Sequence, residues 1–192
     1  KTSITGIYSM LSRCDAVYIC VPSSAAPALV ELAISKNKAV ICEKPLFETE
    51  RLSSLAKEKG VPLVVGFQRR FSGSYEIAKG RAEGLGTSLH TIEIESRDPG
   101  PIVSAKEITM SSASHDVDTA VWILGCQRAS TLKVESAKEV KPGELAIELT
   151  EGTGTKVRIF VSRQFPNYLQ KIRVNGETFG TEAKRSQFPQ GS

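Results

Sequence analysis

The sequence predicts an α/β chain in two parts, a parallel sheet with interleaved helices and then an α+β domain with a mostly antiparallel sheet. In the first 70 residues, short continuous apolar runs alternate with segments of helical spacing, which is typical of parallel strands covered by helices on both faces. After about residue 71, strands alternate between apolar and polar residues, as in an antiparallel sheet with one packed face. We therefore expect one domain over residues 1–70 and another over 71–192.

The first part contains three predicted strands and two predicted helices. In order, these are a strand over residues 15–21, a helix over 25–36, a strand over 38–42, a helix from Thr49 to Gly60 and a strand over 61–66. Pro22 breaks the chain after the first strand, and Asn37 tolerates the left-handed conformation found at helix ends. Thr49 can cap the second helix, which ends at Gly60.

The second part begins with a helix and then contains alternating strands. The predicted elements are a helix over 72–83, a strand over 88–97, a helix over 115–125 and strands over 144–150, 156–162 and 169–174. Gly152, Thr153 and Gly154 form a turn between two of these strands. One face of the sheet is charged, through Glu144, Glu148, Lys156, Arg158, Lys171 and Arg173. Such a face is either solvated or a polar contact between subunits of a symmetric oligomer.

Composition excludes several classes of function. The 192 residues carry a net charge of +4 with scattered basic residues, which argues against nucleic-acid binding. No apolar run approaches the roughly 20 residues that span a bilayer, so we expect no membrane partner. The four cysteines form no CxxC pair, which favours buried free thiols in a reducing, cytoplasmic compartment. With two histidines and no zinc-like spacing, we expect no metal site.

Polar side chains follow each predicted parallel strand. Pro22-Ser23 follows the first strand, Glu43-Lys44-Pro45 the second and Gln68-Arg69-Arg70 the third. Ligands of open parallel sheets bind beyond the carboxyl ends of the strands, so these segments converge on one crevice if the strands are neighbours. A charged pair directly after a buried strand costs free energy unless its charges are paired, hydrogen-bonded or hydrated. A ligand site would meet this need, but a structural ion pair or a solvated loop would meet it too.

Five segments occur in the order found in a known family. They are Asp15–Ser23, Ala39–Leu46, Val65–Phe71, Ser96–Pro101 and His115–Gly125. In this order, and over essentially residues 5–175, the chain resembles the Gfo/Idh/MocA oxidoreductases, which include glucose–fructose oxidoreductase and inositol dehydrogenase. The segment from Arg97 to Pro101 is most similar to the inositol 2-dehydrogenase-like branch.

The resemblance implies a fold, a cofactor and partners. It implies that residues 1–70 are the remainder of an incomplete Rossmann domain that binds NAD or NADP. Residues 71–192 would form the α+β domain that closes on a polyol or sugar substrate and mediates homo-oligomerisation as a dimer or tetramer. The implied reaction transfers a hydride between a sugar or inositol-type polyol and the nicotinamide.

The resemblance also assigns roles to residues. Lys44 and His115 are implied to be catalytic, with Lys44 stabilising negative charge on the reacting oxygen and His115 acting as the general base. Residues implied to contact the cofactor are Val21, Pro22, Ser23, Glu43, Lys44, Gln68 and Arg97. Residues implied to contact the substrate are Lys44, Arg97, His115 and Asp118. Without the resemblance, the residues around His115 favour a structurally bonded histidine at a helix start.

The sequence departs from the family pattern at three places. Residues 1–14 lack the strand and GxGxxG phosphate loop with which the family begins, so we expect either that the front of the protein precedes this sequence or that the dinucleotide is not bound normally. Ser111 replaces the aspartate four residues before the histidine, and Ala26 replaces a common histidine. A catalytically impaired cofactor- or sugar-sensing module, or a purely structural domain, are therefore the alternatives to a dehydrogenase.

Overall fold

The computed structural model describes residues 4–183, and the chain divides into two compact units, residues 1–67 and residues 68–192. The first unit contains α1 (Ile4–Leu11), β1 (Ala16–Ile19), α2 (Ala26–Ser35), β2 (Ala39–Cys42), α3 (Thr49–Lys59) and β3 (Leu63–Val65). Its three strands pair in the order β1-β2-β3, and both pairs are parallel. The predicted alternation of strands and helices in a parallel sheet is therefore confirmed.

The ends of the helices follow backbone geometry more closely than side-chain capping. Asn37, with φ 55°, and Gly60, with φ 66°, both adopt the left-handed conformation after a helix. The prediction that Thr49 caps α3 is wrong, because Thr49 is the first helical residue and Glu48 occupies the cap position. The Glu48 side chain accepts a hydrogen bond from Arg51 Nε at 2.8 Å and makes no capping bond.

All three helices of the first unit pack on one face of its sheet. The buried cluster joins Ile19, Val40 and Cys42 of the strands to Leu11, Val30, Ile34, Leu52 and Ala56 of the helices. The opposite face exposes Tyr18, Ile41 and Val64, at 60%, 48% and 53%. For the described residues, the expected helices on both faces are therefore wrong. Parallel crossovers are right-handed in nearly all proteins, so a sequential strand order places α2 and α3 on the same face.

The second unit contains a six-stranded sheet with helices on one side. Its elements are α4 (Gly73–Leu85), β4 (Thr91–Pro99), α5 (Ala105–Ile108), a π-helical turn (Thr109–Ala113), α6 (Ser114–Ala129), β5 (Lys133–Lys141), β6 (Glu144–Thr150), β7 (Lys156–Ser162), β8 (Gln164–Val174) and β9 (Glu177–Ala183). The strand order is β5-β6-β7-β4-β8-β9, and each neighbouring pair is antiparallel except β4 with β7. The predicted mostly antiparallel sheet is confirmed.

The core of the second unit lies between this sheet and the helices. The strands contribute Ile92, Ile94, Leu145, Ile147, Leu149, Val157, Ile159, Val161, Ile172 and Val174, and the helices contribute Ala78, Ala82, Ala120, Ile123 and Leu124. These strand residues alternate with residues that are mostly polar, as predicted for β4 and β6–β8. The strand predicted over 88–97 begins only at Thr91, so His90 lies before it and is exposed.

Two edge strands, the short helix α5 with the π-helical turn after it, and one helix extension escaped the sequence pattern. β5 is almost wholly exposed and carries charged residues on both faces, so it lacks the alternation that identifies a half-buried strand. β9 pairs at the other edge of the sheet. Helix α6 was expected to end at Gly125, yet the helical stretch resumes after this glycine, whose φ of 74° interrupts it, and continues to Ala129.

Disulfides and membrane-spanning helices are both absent from residues 4–183. Within the described residues, all four cysteines are free thiols. Cys42 is buried as expected, but Cys20 is exposed because it lies just beyond the end of β1. From residue 4 to residue 183, no helix is both long and apolar enough to cross a membrane.

We expect Gly180→Ala to lower the free energy of unfolding by more than about 1 kcal/mol. A Cβ atom at Gly180, where φ is 141°, would collide with the Gln170 carbonyl oxygen and lie 2.8 Å from the Lys171 Cα. Gly80 lies inside α4 with nothing within 4 Å of its Cβ position, so Gly80→Ala should stabilise by about 1 kcal/mol. Urea unfolding of both variants measures this, and a Gly180→Ala variant as stable as the parent would contradict the expectation.

Candidate functional site

The carboxyl ends of the three parallel strands are adjacent. Glu43 N donates to the Ile19 carbonyl at 2.9 Å, and Gly66 N donates to the Cys42 carbonyl at 2.8 Å. These two bonds extend the sheet ladder one residue past the end of β2 and β3. The segment after β1 and the Glu43-Lys44 segment therefore meet at one edge, as the strand order required.

The first unit offers mixed chemistry at this edge. Val21 and Pro22 are exposed after β1, Ser23 is half-buried, and Glu43 and Lys44 are both half-buried after β2. Apolar surface, a hydroxyl, a carboxylate and an ammonium group are the contacts that a nicotinamide and its ribose need. Gly66 adds no side chain beside Glu43, since a Cβ there would lie 3.4 Å from Glu43 Oε1. The residues present at this edge thus fit the nicotinamide end of a dinucleotide.

Tyr18 contacts Glu43 and was not among the predicted site residues. Its hydroxyl donates a hydrogen bond to Glu43 Oε1. The pKa of Tyr18 is raised to about 12, mainly by this bond and to a lesser extent by partial desolvation and the charge of Glu43. The phenol therefore stays protonated, and remains a donor, across the physiological pH range.

In the second unit, His115 is the second residue of α6 and is buried. The π-helical turn of residues 109–113 leads directly into this helix. Within that turn, the Ser111 hydroxyl donates to the Glu107 carbonyl at 2.6 Å. The neighbouring Ser112 hydroxyl donates to Asp98 Oδ2 at 3.0 Å. Serine hydroxyls thus satisfy local acceptors in the turn before His115, and position 111 itself contributes no negative charge.

A buried ion pair fixes the residue that follows His115. Arg69 pairs with Asp116 and also donates to Ser96 Oγ at 3.0 Å, while the Ser96 hydroxyl donates to Asp116 Oδ1 at 2.8 Å. All three side chains are buried. Burial raises the pKa of Asp116 to about 6, against the opposing effects of Arg69 and Ser96. The start of α6 is therefore tied to the turn at residues 68–71.

The next arginine makes a second pair with the same helix. Arg70 donates through Nε to Asp118 Oδ2 at 2.9 Å and through Nη2 to Asp118 Oδ1. This two-bond geometry engages both oxygens of the carboxylate that was predicted to bind substrate. Both pairs lie within the compact unit that begins at Gln68.

Arg97 and Gln68 complete the set of predicted site residues. Arg97 pairs with Glu95 and stacks against Phe165 and Phe160, with 4.7 and 5.5 Å from its guanidinium carbon to the ring centres. Gln68 is exposed at the first position of the turn Gln68–Phe71. The second unit pairs the two arginines of that turn with Asp116 and Asp118, which lie one and three residues after His115 on α6. The contacts predicted for Arg97 and Gln68 with cofactor or substrate remain predictions.

Comparison with known proteins supplies the family. The GFO_IDH_MocA model, described as an oxidoreductase family with an NAD-binding Rossmann fold, matches residues 3–67. YrbE, an oxidoreductase of Bacillus subtilis, is 31% identical over 192 residues, covering 90% of this chain and 56% of YrbE. An inositol 2-dehydrogenase of Rhizobium meliloti is 30% identical over 193 residues, covering 91% of this chain and 58% of that protein. The chain belongs to the Gfo/Idh/MocA family.

A solved structure supports the same fold over almost the whole chain. Apo scyllo-inositol dehydrogenase from Lactobacillus casei superposes with a TM-score of 0.73 at 19% identity, covering 97% of this chain and 60% of that one. The chain thus spans a little over half the length of the Gfo/Idh/MocA proteins it matches. The predicted family is confirmed, and the predicted cofactor class, NAD or NADP, is confirmed as that of an NAD-binding family.

We expect the buried ion pair of Arg69 and Asp116 to contribute far more to stability than the exposed ion pairs do. Asp116→Ala leaves the Arg69 charge buried without its carboxylate, which should cost about 3–5 kcal/mol of unfolding free energy. Glu177→Ala breaks the pair with Arg81, whose members are 49% and 52% exposed, and should cost less than about 1 kcal/mol.

Urea unfolding of both variants, and of the double variant Arg69→Met/Asp116→Leu, measures this difference. The double variant removes both charges together and should regain most of the stability lost by Asp116→Ala. Equal costs for Asp116→Ala and Glu177→Ala would show that the buried network is not the stabilising one.

Proposed function

We propose that the protein is an NAD(P)-dependent dehydrogenase that oxidises a sugar or inositol-type polyol. The observation that carries this proposal is Glu43-Lys44-Pro45 at the carboxyl end of β2, beside the end of β1, in a parallel sheet of an NAD-binding family. Relatives of that family, among them the inositol 2-dehydrogenase of Rhizobium meliloti, supply the substrate class. When bound, the nicotinamide supplies the hydride acceptor.

Lys44 would act on the substrate oxygen. An ammonium group at the strand end favours negative charge on a hydroxyl oxygen that is losing its proton. Val21, Pro22 and Ser23 would contact the nicotinamide half of the cofactor from the end of β1, and Glu43 would accept hydrogen bonds from its ribose. Gln68 and Arg97 are further cofactor contacts in this proposal, and Arg97 also a substrate contact.

His115 would take the hydroxyl proton. Imidazoles in general titrate near neutral pH, which suits a general base for alcohol oxidation. The pairs Arg69–Asp116 and Arg70–Asp118 hold the first turns of α6, so the helix that carries His115 is fixed before substrate arrives. Asp118 would orient substrate only indirectly, since Arg70 already engages both of its oxygens.

Ser111 is the observation that favours the second candidate, a cofactor- or sugar-sensing module. The Ser111 hydroxyl donates to the Glu107 carbonyl, and a serine cannot supply the negative charge of an aspartate beside an imidazolium. The comparisons give this candidate no support, because the matched proteins whose names state a function are oxidoreductases or dehydrogenases. We therefore prefer the dehydrogenase.

The test is turnover of polyols and sugars with NAD and with NADP, followed by the absorbance of the reduced cofactor. We expect Lys44→Met and His115→Gln each to lower kcat by about 100-fold or more. The matched controls are Lys59→Met, at an exposed lysine of α3, and His90→Gln, at the other histidine of the chain, which is exposed. Unchanged rates in Lys44→Met would refute its role, and cofactor binding without turnover by the parent protein would favour the sensing module.

We also propose that the charged face of the six-stranded sheet is the contact of a homo-oligomer. Glu148, Arg158, Glu93 and Arg173 follow one another across four strands, with Arg158 3.1 Å from Glu93 and Arg173 3.5 Å from Glu93. Charges that alternate in sign are self-complementary when the face meets its own copy about a two-fold axis. The half-buried Phe160 and Ala146 lie on the same face and add apolar area. A cytoplasmic location stays a prediction.

Charge reversal tests the oligomer. Arg158→Glu places three carboxylates side by side, with Glu93 and Glu148, and should shift sedimentation toward the monomer. Lys57→Glu reverses an exposed charge on α3 and is the control. A parent protein that sediments as a monomer at all concentrations, or an Arg158→Glu variant that associates like the parent, would contradict the proposed contact.

A further inference from the structure

We propose that Tyr18 is a positioning residue of the cofactor edge, which holds the Glu43 carboxylate in one orientation for the ribose of the dinucleotide. This inference rests on the proposed function, because it deepens the assignment of the edge at β1 and β2. It concerns a residue outside the Glu-Lys-Pro segment.

The register of the sheet explains how Tyr18 reaches Glu43. Tyr18 on β1 lies opposite Ile41 on β2. Glu43 lies two residues beyond Ile41 and continues the ladder through its bond to the Ile19 carbonyl at 2.9 Å. Residues two apart on a strand share a face, so Tyr18 and Glu43 are diagonal neighbours on the exposed face. The long phenol spans the diagonal, and its hydroxyl meets Glu43 Oε1.

Gly66 leaves the other side of the same carboxylate free of a side chain. The Gly66 amide donates to the Cys42 carbonyl at 2.8 Å. This bond places the backbone of Gly66, one residue past the end of β3, next to Glu43. A Cβ atom at Gly66 would lie 3.4 Å from Glu43 Oε1, in van der Waals contact. Glu43 is thus bracketed by a donor from β1 and by bare backbone after β3. Space for a ligand remains at Gly66, where any other residue would place a side chain.

The bond between Tyr18 and Glu43 contributes little to the stability of the fold. The Tyr18 ring is exposed and packs outside the buried cluster of the first unit. Exposed polar contacts contribute little net stability because water replaces them readily. Fixing a glutamate side chain, in contrast, removes rotamer freedom that a ligand would otherwise have to remove on binding. The geometry therefore favours a role in binding over a role in folding.

The chemistry of the ligand follows from the group that is fixed. A carboxylate accepts hydrogen bonds, and in dinucleotide-binding sheets an acidic side chain at a strand end binds ribose hydroxyls. The phenol is a neutral donor, so it orients Glu43 without cancelling its negative charge. Glu43 therefore keeps its capacity to accept from a vicinal diol such as that of a ribose.

The experiment compares Tyr18→Phe, which removes one oxygen atom, with Tyr8→Phe at the other exposed tyrosine of the first unit. We expect Tyr18→Phe to raise the Kd and KM for the nicotinamide cofactor about three- to tenfold, the cost of ordering one long side chain. The KM for the polyol and the unfolding midpoint should stay unchanged, as should every parameter of Tyr8→Phe.

A double-mutant cycle with Glu43→Ala tests whether Tyr18 acts through Glu43. If it does, Tyr18→Phe has no further effect on cofactor Kd in the Glu43→Ala background. A readout without cofactor is the titration of the tyrosine ring carbons by NMR. We expect the Tyr18 ionisation to fall from about pH 12 toward its ordinary value in Glu43→Ala.

The outcomes separate the two proposals. A parent protein that binds neither NAD nor NADP overturns the proposed function and this inference with it. A parent that binds, with a Tyr18→Phe variant of equal Kd, overturns the role of Tyr18 alone. Additive losses in the cycle overturn the action through Glu43, while a weaker Tyr18→Phe variant with a non-additive cycle supports it.

Discussion

The parallel pairing of β1, β2 and β3 is the constraint on which the arrangement of the first unit depends. Because the three strands run in one direction, their carboxyl ends lie at one edge, and the segments that follow them are neighbours. Because they follow one another in space as in sequence, right-handed crossovers send both connecting helices to the same face. The edge that carries Glu43 and Lys44, and the open face that carries Tyr18, are two consequences of this one pairing.

The second unit obtains its rigidity from a different source. Its sheet is amphipathic, and a continuous cluster of aliphatic residues joins it to α4 and α6. Hydrophobic contact is non-directional, so it fixes the position of α6 on the sheet better than the orientation of a particular side chain. The hydrogen-bonded pairs of Arg69 and Arg70 add direction, because a guanidinium and a carboxylate meet in few geometries.

The sequence was sufficient for those features that depend on local pattern. Apolar periodicity predicted β1–β4, β6–β8 and the helices α2, α3, α4 and α6, and the order of five short segments predicted the family. It was insufficient where the outcome depends on tertiary partners. β5 is a strand because β6 offers it a ladder, although its own residues are mostly charged and exposed. The order of the strands decides which face of a parallel sheet is left uncovered by helices. The sequence of a single strand does not show that order.

The same limit applies to the candidate site. Lys44 and His115 stand out in the sequence because their flanking motifs are distinctive, and Arg69 and Arg70 were visible as polar residues after a strand. Their partners were not visible. Tyr18 pairs across a register between strands, and Asp116 meets an arginine 47 positions away in the chain. Such pairings are set by the packing of elements, so they become readable only once the elements have been placed.

The two units share one feature, although each is built separately. In each, a carboxylate next to the proposed catalytic group has a partner from another element: Tyr18 donates a hydrogen bond to Glu43, beside Lys44, and Arg69 pairs with Asp116, beside His115. The means differ with the environment. Asp116 is buried, and the charge of Arg69 offsets part of its desolvation. Glu43 lies at an exposed edge, where an arginine would neutralise the charge that a ribose would need, and a neutral phenol orients it without that loss. The choice of partner therefore follows from what each carboxylate does: Asp116 holds a helix, whereas Glu43 would keep its charge for a ligand.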